Sequence, residues 1–404
     1  MSTLFWPGDH RAGELFSDRS LVETLVAVER AWLAALVDTE IAPASAHDEL
    51  ADLVDATDLP LLTERSEASG NPVLPVLELL RGRLTSRNAD AARWLHKGLT
   101  SQDVLDTALV LLTRDTRGEL RRALATQLAA LVHLVDEHRH VAMAGRTLGR
   151  PAVPITVGAK VSGWTQGLLD AADALDALVL PVQFGGAAGN RSGAATLASD
   201  AGTTPSLLAE AFARRLALVP GPPWQTARAP VTAIADALVG VTTACGRIAN
   251  DVLTLSRPEI GELTEAAADG RGRSSTMPQK SNPVLSILIR RAALTAPALG
   301  SLVHLAAADV RDERPDGAWH VEWQPLQLLA RHALAAASQA AELLIGLDID
   351  AAAAARNLAA ARPGIDAERG SLGVDVTDDA VVGDDDELID TALARARAWL
   401  GAPA

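Results

Sequence analysis

The sequence predicts an all-α protein, and three observations carry that expectation. Alanine and leucine dominate its 404 residues, tyrosine is absent and phenylalanine occurs four times, so the β-branched and aromatic alternation of strands is missing. Five long segments carry apolar residues at three- and four-residue spacing: Asp103–His138, Val157–Leu180, Val231–Leu255, Val284–Val310 and Trp319–Leu347. Between them lie Gly- and Pro-rich joints at Gly145–Gly158, Phe184–Gly193, Pro220–Pro230 and Gly270–Pro283.

The first hundred residues read as short helices. Ser20 is placed to cap a helix over Leu21–Val37, with Leu21, Leu25, Val28, Trp32 and Leu36 on one face. Pro60, Gly70, Asn71, Pro72 and Pro75 then turn the chain. The long helices are apolar over a wide arc, as in Ala335 to Ala341, and so are expected to bury against other helices of this chain or a partner copy. At the end, Asp384 to Glu387 precede a short helix over Leu388–Leu400. Acidic residues there suit the helix dipole and call for no metal.

Net charge and cysteine content exclude several classes. A charge of −15 gives no basic face for phosphate, which argues against nucleic-acid binding. An acidic substrate then needs a locally basic site. Cys245 is the only cysteine, which rules out an internal disulfide and a CxxC metal site, and its apolar helical surroundings make it a packing residue. The start, Met1 to Trp6, lacks a signal core, and no stretch reads as long and apolar enough to span a membrane. A soluble, cytoplasmic protein is expected.

Three segments carry chemistry-bearing residues. His96-Lys97-Gly98-Leu99-Thr100-Ser101-Gln102-Asp103 opens onto a long helix, where hydroxyls and backbone N–H groups can cap the helix or receive a carboxylate. Gly272-Arg273-Ser274-Ser275-Thr276-Met277-Pro278-Gln279-Lys280-Ser281-Asn282-Pro283 is a polar loop between two long helices. In it Arg273 and Lys280 favour a lowered serine pKa, and a plain surface loop is the competing reading. Gly317-Ala318-Trp319-His320-Val321-Glu322-Trp323 follows Arg311, Glu313 and Arg314. His320 and Glu322, two apart on a helix, point different ways, which disfavours a shared metal.

Taken in this order, the segments resemble the fumarase/aspartase superfamily. Ser274 to Pro283 meets all seven defined positions of its signature, serine-serine-any-methionine-proline-any-lysine-any-asparagine-proline. Thr100-Ser101-Gln102-Asp103 with Asp106-Thr107 is similar to a second conserved region, and Gly145-Arg146-Thr147 with Pro154, Thr156 and Gly158 to a third. The resemblance implies an all-helical subunit in three parts: residues 1–99, a central long-helix bundle over 100–347, and a short C-terminal part over 348–404. It further implies a homotetramer whose active sites each draw on three subunits, with no metal and no organic cofactor. The shared chemistry is addition to, or elimination from, a carbon beside a carboxylate, through an aci-carboxylate carbanion. Carried over by motif, Ser274 is the catalytic base or acid, and Lys280 and Asn282 hold the carboxylate that takes up charge. His96, Thr100, Ser101, Arg146, Thr147, Arg273, Met277 and His320 are the expected substrate-binding residues.

Most lyases of the superfamily carry a histidine after glycine-arginine-threonine and a glutamate five residues after the signature asparagine. Here those positions are Leu148 and Ile287. The branch that lactonises 3-carboxy-cis,cis-muconate also departs from the histidine, and the Gly317–Trp323 run resembles that branch. The implied activity is closure of 3-carboxy-cis,cis-muconate to a lactone, an intramolecular attack. The alternatives are a C–N or C–O lyase resembling adenylosuccinate lyase and a catalytically silent paralogue acting as a scaffold. Lys97, Gln225, Arg273 and Leu148-Gly149-Arg150 depart from the branch pattern and point towards a different or more anionic polycarboxylate.

Overall fold

The computed structural model describes residues 4–268, 270–273, 276–277, 280–371 and 383–402. Its helices, in chain order, are α1 (Asp18–Asp38), α2 (Leu59–Ser69), α3 (Val73–Arg87), α4 (Ala89–Trp94), α5 (Ser101–His138), α6 (Val157–Asp176), α7 (Ser192–Asp200), α8 (Pro205–Leu216), α9 (Ala229–Leu255), α10 (Val284–Ala308), α11 (Gly317–Ile345), α12 (Ala351–Ser371) and α13 (Asp385–Gly401). The five long helices stand where the apolar spacing predicts them, with ends shifted by a few residues.

Strands were not expected, yet two short antiparallel pairs occur among the described residues. They are β1 (Ala142–Thr147) with β2 (Arg150–Thr156), and β3 (Leu263–Glu265) with β4 (Leu347–Ile349). The first is a hairpin. Thr147 pairs with Arg150 across a two-residue turn in which Leu148 (φ 50°) and Gly149 (φ 80°) are both left-handed, the conformation that matches strand twist.

Helix starts differ from the reading in one respect. The cap of α1 is Ser17, whose hydroxyl accepts from the Ser20 amide at 3.1 Å; Ser20 lies inside the first turn, behind Asp18, which suits the dipole. Pro60 and Pro75 likewise sit in the first turns of α2 and α3, where a missing amide hydrogen costs nothing. The acidic run at the start of α13 is structural, as expected. Asp385 accepts from the Thr156 amide at 2.7 Å, and Asp386 and Asp390 pair with Arg139.

The chain gathers into two compact units, Met1–Arg117 with Ala177–Asp236 and Ala298–Arg331, and Gly118–Asp176 with Ala237–Pro297 and His332–Ala404. In the first, α1 packs on α8 around an aromatic cluster. Trp32 meets Phe184 and Phe212 with ring centres 4.8 and 5.1 Å apart. In the second, α13 packs on α6, and α12 lies against the β1–β2 hairpin. Small side chains let helices approach closely here. Ala335, Ala336, Ala337 and Ala340 are buried within the chain itself, and a Cβ on Gly246 of α9 would lie 2.3 Å from that of Ala293 on α10.

The expectation that no segment is long and apolar enough to cross a membrane fails. Helices α9 and α10 both are: α9 carries a single charge, Asp236, between Ala229 and Gly246, and α10 carries two, Arg290 and Arg291, among mostly apolar residues. In α9, 56% of that apolar stretch is buried inside the protein, as in a core helix, and in α10 33% is.

Candidate active site

In the first unit the chemistry-bearing residues surround the start of α5. The turn from His96 to Thr100 leads into it, and the indole N–H of Trp32 on α1 fixes that turn by donating to the Lys97 carbonyl at 2.8 Å. His96 has a left-handed backbone (φ 64°), and its Nδ1 lies 2.6 Å from Glu29 Oε1. Lys97 rests its ammonium 4.2 Å from the centre of the Trp94 ring. Thr100 receives a hydrogen bond on its hydroxyl from Arg314 at 2.9 Å, and Ser101 is buried at the first turn of α5.

Two carboxylates lie beneath this surface. Asp103 accepts from the amides of Thr100, Gly185 and Gly186 and from the Gln183 side chain, at 2.8–3.1 Å. Burial pushes its carboxyl up to about 6, against those four donors, which favour the charged form. Asp106 accepts two bonds from Arg228, at 2.6 and 3.1 Å, and one from Trp319 Nε1 at 2.9 Å. Arg228 also forks onto Glu322, at 2.9 and 2.5 Å, and the side chains of all three are fully buried. Burial raises the Glu322 carboxyl from its ordinary value, opposed by Arg228. Burial also opposes the Arg228 charge, but Asp106 and Glu322 outweigh it and hold the guanidinium above its ordinary value. This knot joins α5, the start of α9 and α11 within the unit.

His320, on the opposite side of α11 from Glu322 as the spacing predicts, is exposed. Its Nδ1 meets the Asp316 carbonyl at 3.0 Å and its Nε2 the Gly70 carbonyl at 2.7 Å, and Trp319 and Trp323 flank the ring. Both ring nitrogens are thus engaged by backbone carbonyls.

The second unit holds the other group. Arg146, on β1, gives both terminal nitrogens to buried Glu262, at 2.8 and 2.6 Å, and Asn357 also donates to Glu262. Thr147 is exposed at the hairpin end. In the signature loop the Asn282 amide and side chain both donate to the Gly272 carbonyl, at 2.9 and 3.1 Å, and Arg273 bridges Ser281 through the backbone. Arg273, Met277 and Lys280 are exposed. Ser274 lies outside the described residues, as does its neighbour Ser275. Leu148 and Ile287 are both exposed, 104% and 47%.

The arrangement around α5 can receive a carboxylate. It offers a helix N-terminus, two hydroxyls, an imidazole and the Arg314 guanidinium within one short stretch of surface. Among the described residues no group of three His, Cys, Asp or Glu side chains is placed to hold a metal. Cys245 is buried and pushed up to about 12 by burial, so it packs rather than reacts. Sequence reasoning assigned no role to Glu29, Gln183 or Arg228. For Glu29 a signal existed, since it lies four residues after Leu25 and three before Trp32, on the face that α1 buries.

Comparison with known proteins gives this geometry its context. The family model described as lyase matches residues 14–297. A nitrosuccinate lyase of Streptomyces davaonensis is 41% identical over 340 residues, covering 80% of this chain and 72% of the relative. A 3-carboxy-cis,cis-muconate cycloisomerase of Bradyrhizobium diazoefficiens is 37% identical over 351 residues, covering 84% and 75%. The crystal structure of 3-carboxy-cis,cis-muconate lactonizing enzyme from Pseudomonas putida superposes with a TM-score of 0.77 at 28% identity, covering 96% of this chain and 94% of that one. With its long helices, its intact signature and these relatives, the chain belongs to the lyase family of the fumarase/aspartase superfamily and is an enzyme of that group.

Proposed function

We propose that this enzyme forms and collapses a carbanion beside a carboxylate of a small polycarboxylate whose leaving group departs without needing a proton. One observation carries the reading. Where other branches of the superfamily set a histidine–glutamate pair, this chain presents two exposed apolar side chains, Leu148 and Ile287. An amine or an alkoxide is a strong base and needs an acid as it leaves. A carboxylate, the group expelled when a carboxymuconolactone ring opens, is a weak base and does not.

The leading substrate is 3-carboxy-cis,cis-muconate. In the cyclising direction one of its carboxylate oxygens adds across a double bond, and the electron pair moves onto the carbon beside another carboxylate. Ser274 then gives that carbon its proton. Lys280 and Asn282 stabilise the aci-carboxylate, and His96, Thr100 and Ser101 hold a second carboxylate. A soluble homotetramer, with each site drawing on three subunits, is the assembly this reading adopts, and the family resemblance supports it.

A second substrate, nitrosuccinate, fits the same chemistry, since nitrite is also a weak base. Ser274 would take the proton beside a carboxylate, and the C–N bond would break with its electrons leaving on nitrite. The 41% identity to a nitrosuccinate lyase favours it, and Lys97, Gln225 and Arg273, which depart from the lactonising branch, are compatible with a substrate other than that branch's own.

The test is purified enzyme beside Ser274→Ala, offered each substrate. Loss of diene absorbance reports lactonisation and colorimetric nitrite reports elimination, and the variant should be slower by about 10²- to 10⁴-fold. Turnover of neither compound by a folded parent would overturn the proposal in favour of a silent paralogue.

A further inference from the structure

Glu29 places a carboxylate where α1 buries its apolar face, between Leu25 and Trp32, and its side chain is 1% exposed. Oε1 lies 2.6 Å from His96 Nδ1, while Oε2 is buried with no hydrogen-bond partner among the described residues. A buried carboxylate so incompletely satisfied is costly compared with an apolar residue of the same size, so its charge needs a counterpart. Trp32, one turn further along the same helix, pins the Lys97 carbonyl. Helix α1 therefore holds the turn before α5 at two points, one neutral and one ionic.

We propose that Glu29 is a positioning residue that keeps His96 an imidazolium, with Nδ1 committed to Glu29 and Nε2–H left as a charged donor for the substrate carboxylate. This rests on reading His96, Thr100 and Ser101 as the carboxylate-binding end of the site. The groups facing the ring come from three helices. Burial disfavours the imidazolium, but Glu29 from α1 and Asp103 from α5 favour it and Arg81 from α3 opposes it, and the balance lies above the ordinary histidine value. Glu29 thus keeps, in an acidic protein, a fixed cation at a place where a substrate carboxylate docks. A side chain that merely filled space beside the turn would leave the charge of the ring unchanged, and this separates the two roles.

Glu29→Gln keeps the shape and a polar partner for Nδ1 but removes the charge. The titration of His96 is followed by NMR of enzyme labelled at histidine Cε1, its signal identified by its absence from His96→Gln. In Glu29→Gln the midpoint should fall by about one unit or more. For a substrate that the parent turns over, KM at pH 7.5 should rise about tenfold while kcat changes less than about threefold. The alkaline fall of kcat/KM should move to lower pH, and Glu29→Gln should have no further effect on KM in the His96→Gln background. An unchanged His96 midpoint in Glu29→Gln overturns the proposal. Should that variant not fold, Glu29→Asp, which keeps the charge but lengthens the pair, is read the same way with a smaller fall. If the parent turns over neither candidate substrate, the functional reading fails, and the titration still decides what Glu29 does to His96.

Discussion

The start of α5 and the segment from Gly270 to Pro283 both carry side chains that the family resemblance ties to the reaction, yet they are held in opposite ways. Around α5, Asp103 takes four hydrogen bonds, and Asp106, Arg228 and Glu322 form a fully buried ionic knot. In the signature segment Arg273, Met277 and Lys280 are exposed, and among the described residues the turn closes through bonds to the Gly272 carbonyl from Asn282, with the Arg271 side chain reaching Glu342 and the Ala266 carbonyl. The first region is built before substrate arrives, its charges desolvated and fixed at the expense of folding. In the second, among the described residues, only Arg271 is tied down, by Glu342, while the exposed Arg273 and Lys280 cost little stability and stay available to meet an anion. A mutation in each should therefore register in a different measurement.

The largest effect should come from the knot. Arg228→Met removes one cation and leaves two buried carboxylates facing each other, which should cost about 3–5 kcal/mol of stability. Urea unfolding of the variant beside the parent reads this directly. The contrasting change, Arg273→Met on an exposed side chain, should stay within about 0.5 kcal/mol of the parent. Similar losses from both variants would erase the distinction between the regions.

The same distinction explains what could be read in the sequence. The long helices were legible because each repeats apolar residues at helical spacing over many turns, and the signature loop because its spacing is specific. The β1–β2 hairpin was not. Glycine and proline mark a joint there, but its turn places Leu148 in a left-handed conformation usually given to Asn or Gly, so nothing marks it as a hairpin. The Arg228 knot was equally invisible, since its partners lie 122 and 94 residues away, and a lone arginine in Thr226-Ala227-Arg228-Ala229 reads as solvent-facing. Glu29 gave no clear signal, because a charge beside apolar residues on a helix ordinarily belongs to the neighbouring polar face. Side-chain partners distant in sequence carry no local periodicity.

Gly272 should show the reverse signature, a loss of rate with little loss of stability. Its φ is 73°, and an added Cβ would lie 2.5 Å from the Asn282 carbonyl oxygen, so Gly272→Ala must shift the backbone that holds Asn282. A displacement near 1 Å at a reacting group costs up to about 10²-fold, and we expect kcat/KM to fall at least about tenfold. The same preparation should lose only about 1 kcal/mol of stability, the ordinary cost of a side chain at positive φ, because the segment is largely exposed. Full activity in this variant would show that Asn282 need not be fixed in place.

The smallest expected effect bears most directly on the chemistry. Leu148→His with Ile287→Glu restores the residue types that other branches of the superfamily use as a pair. Leu148 is fully exposed in a left-handed turn that histidine tolerates better than leucine, and Ile287 is half-exposed in the first turn of α10, where an acid suits the helix dipole. The double variant should therefore fold. An acid is worth about 10²- to 10⁴-fold only where a proton must reach the leaving group. With a carboxylate or nitrite as leaving group the developing charge rests on two oxygens of a weak base, so the added pair has nothing to protonate. Rates on 3-carboxy-cis,cis-muconate or nitrosuccinate should stay within about threefold of the parent. A tenfold acceleration would mean that proton delivery limits this enzyme after all, and that the apolar pair is a loss rather than a fit to its substrate.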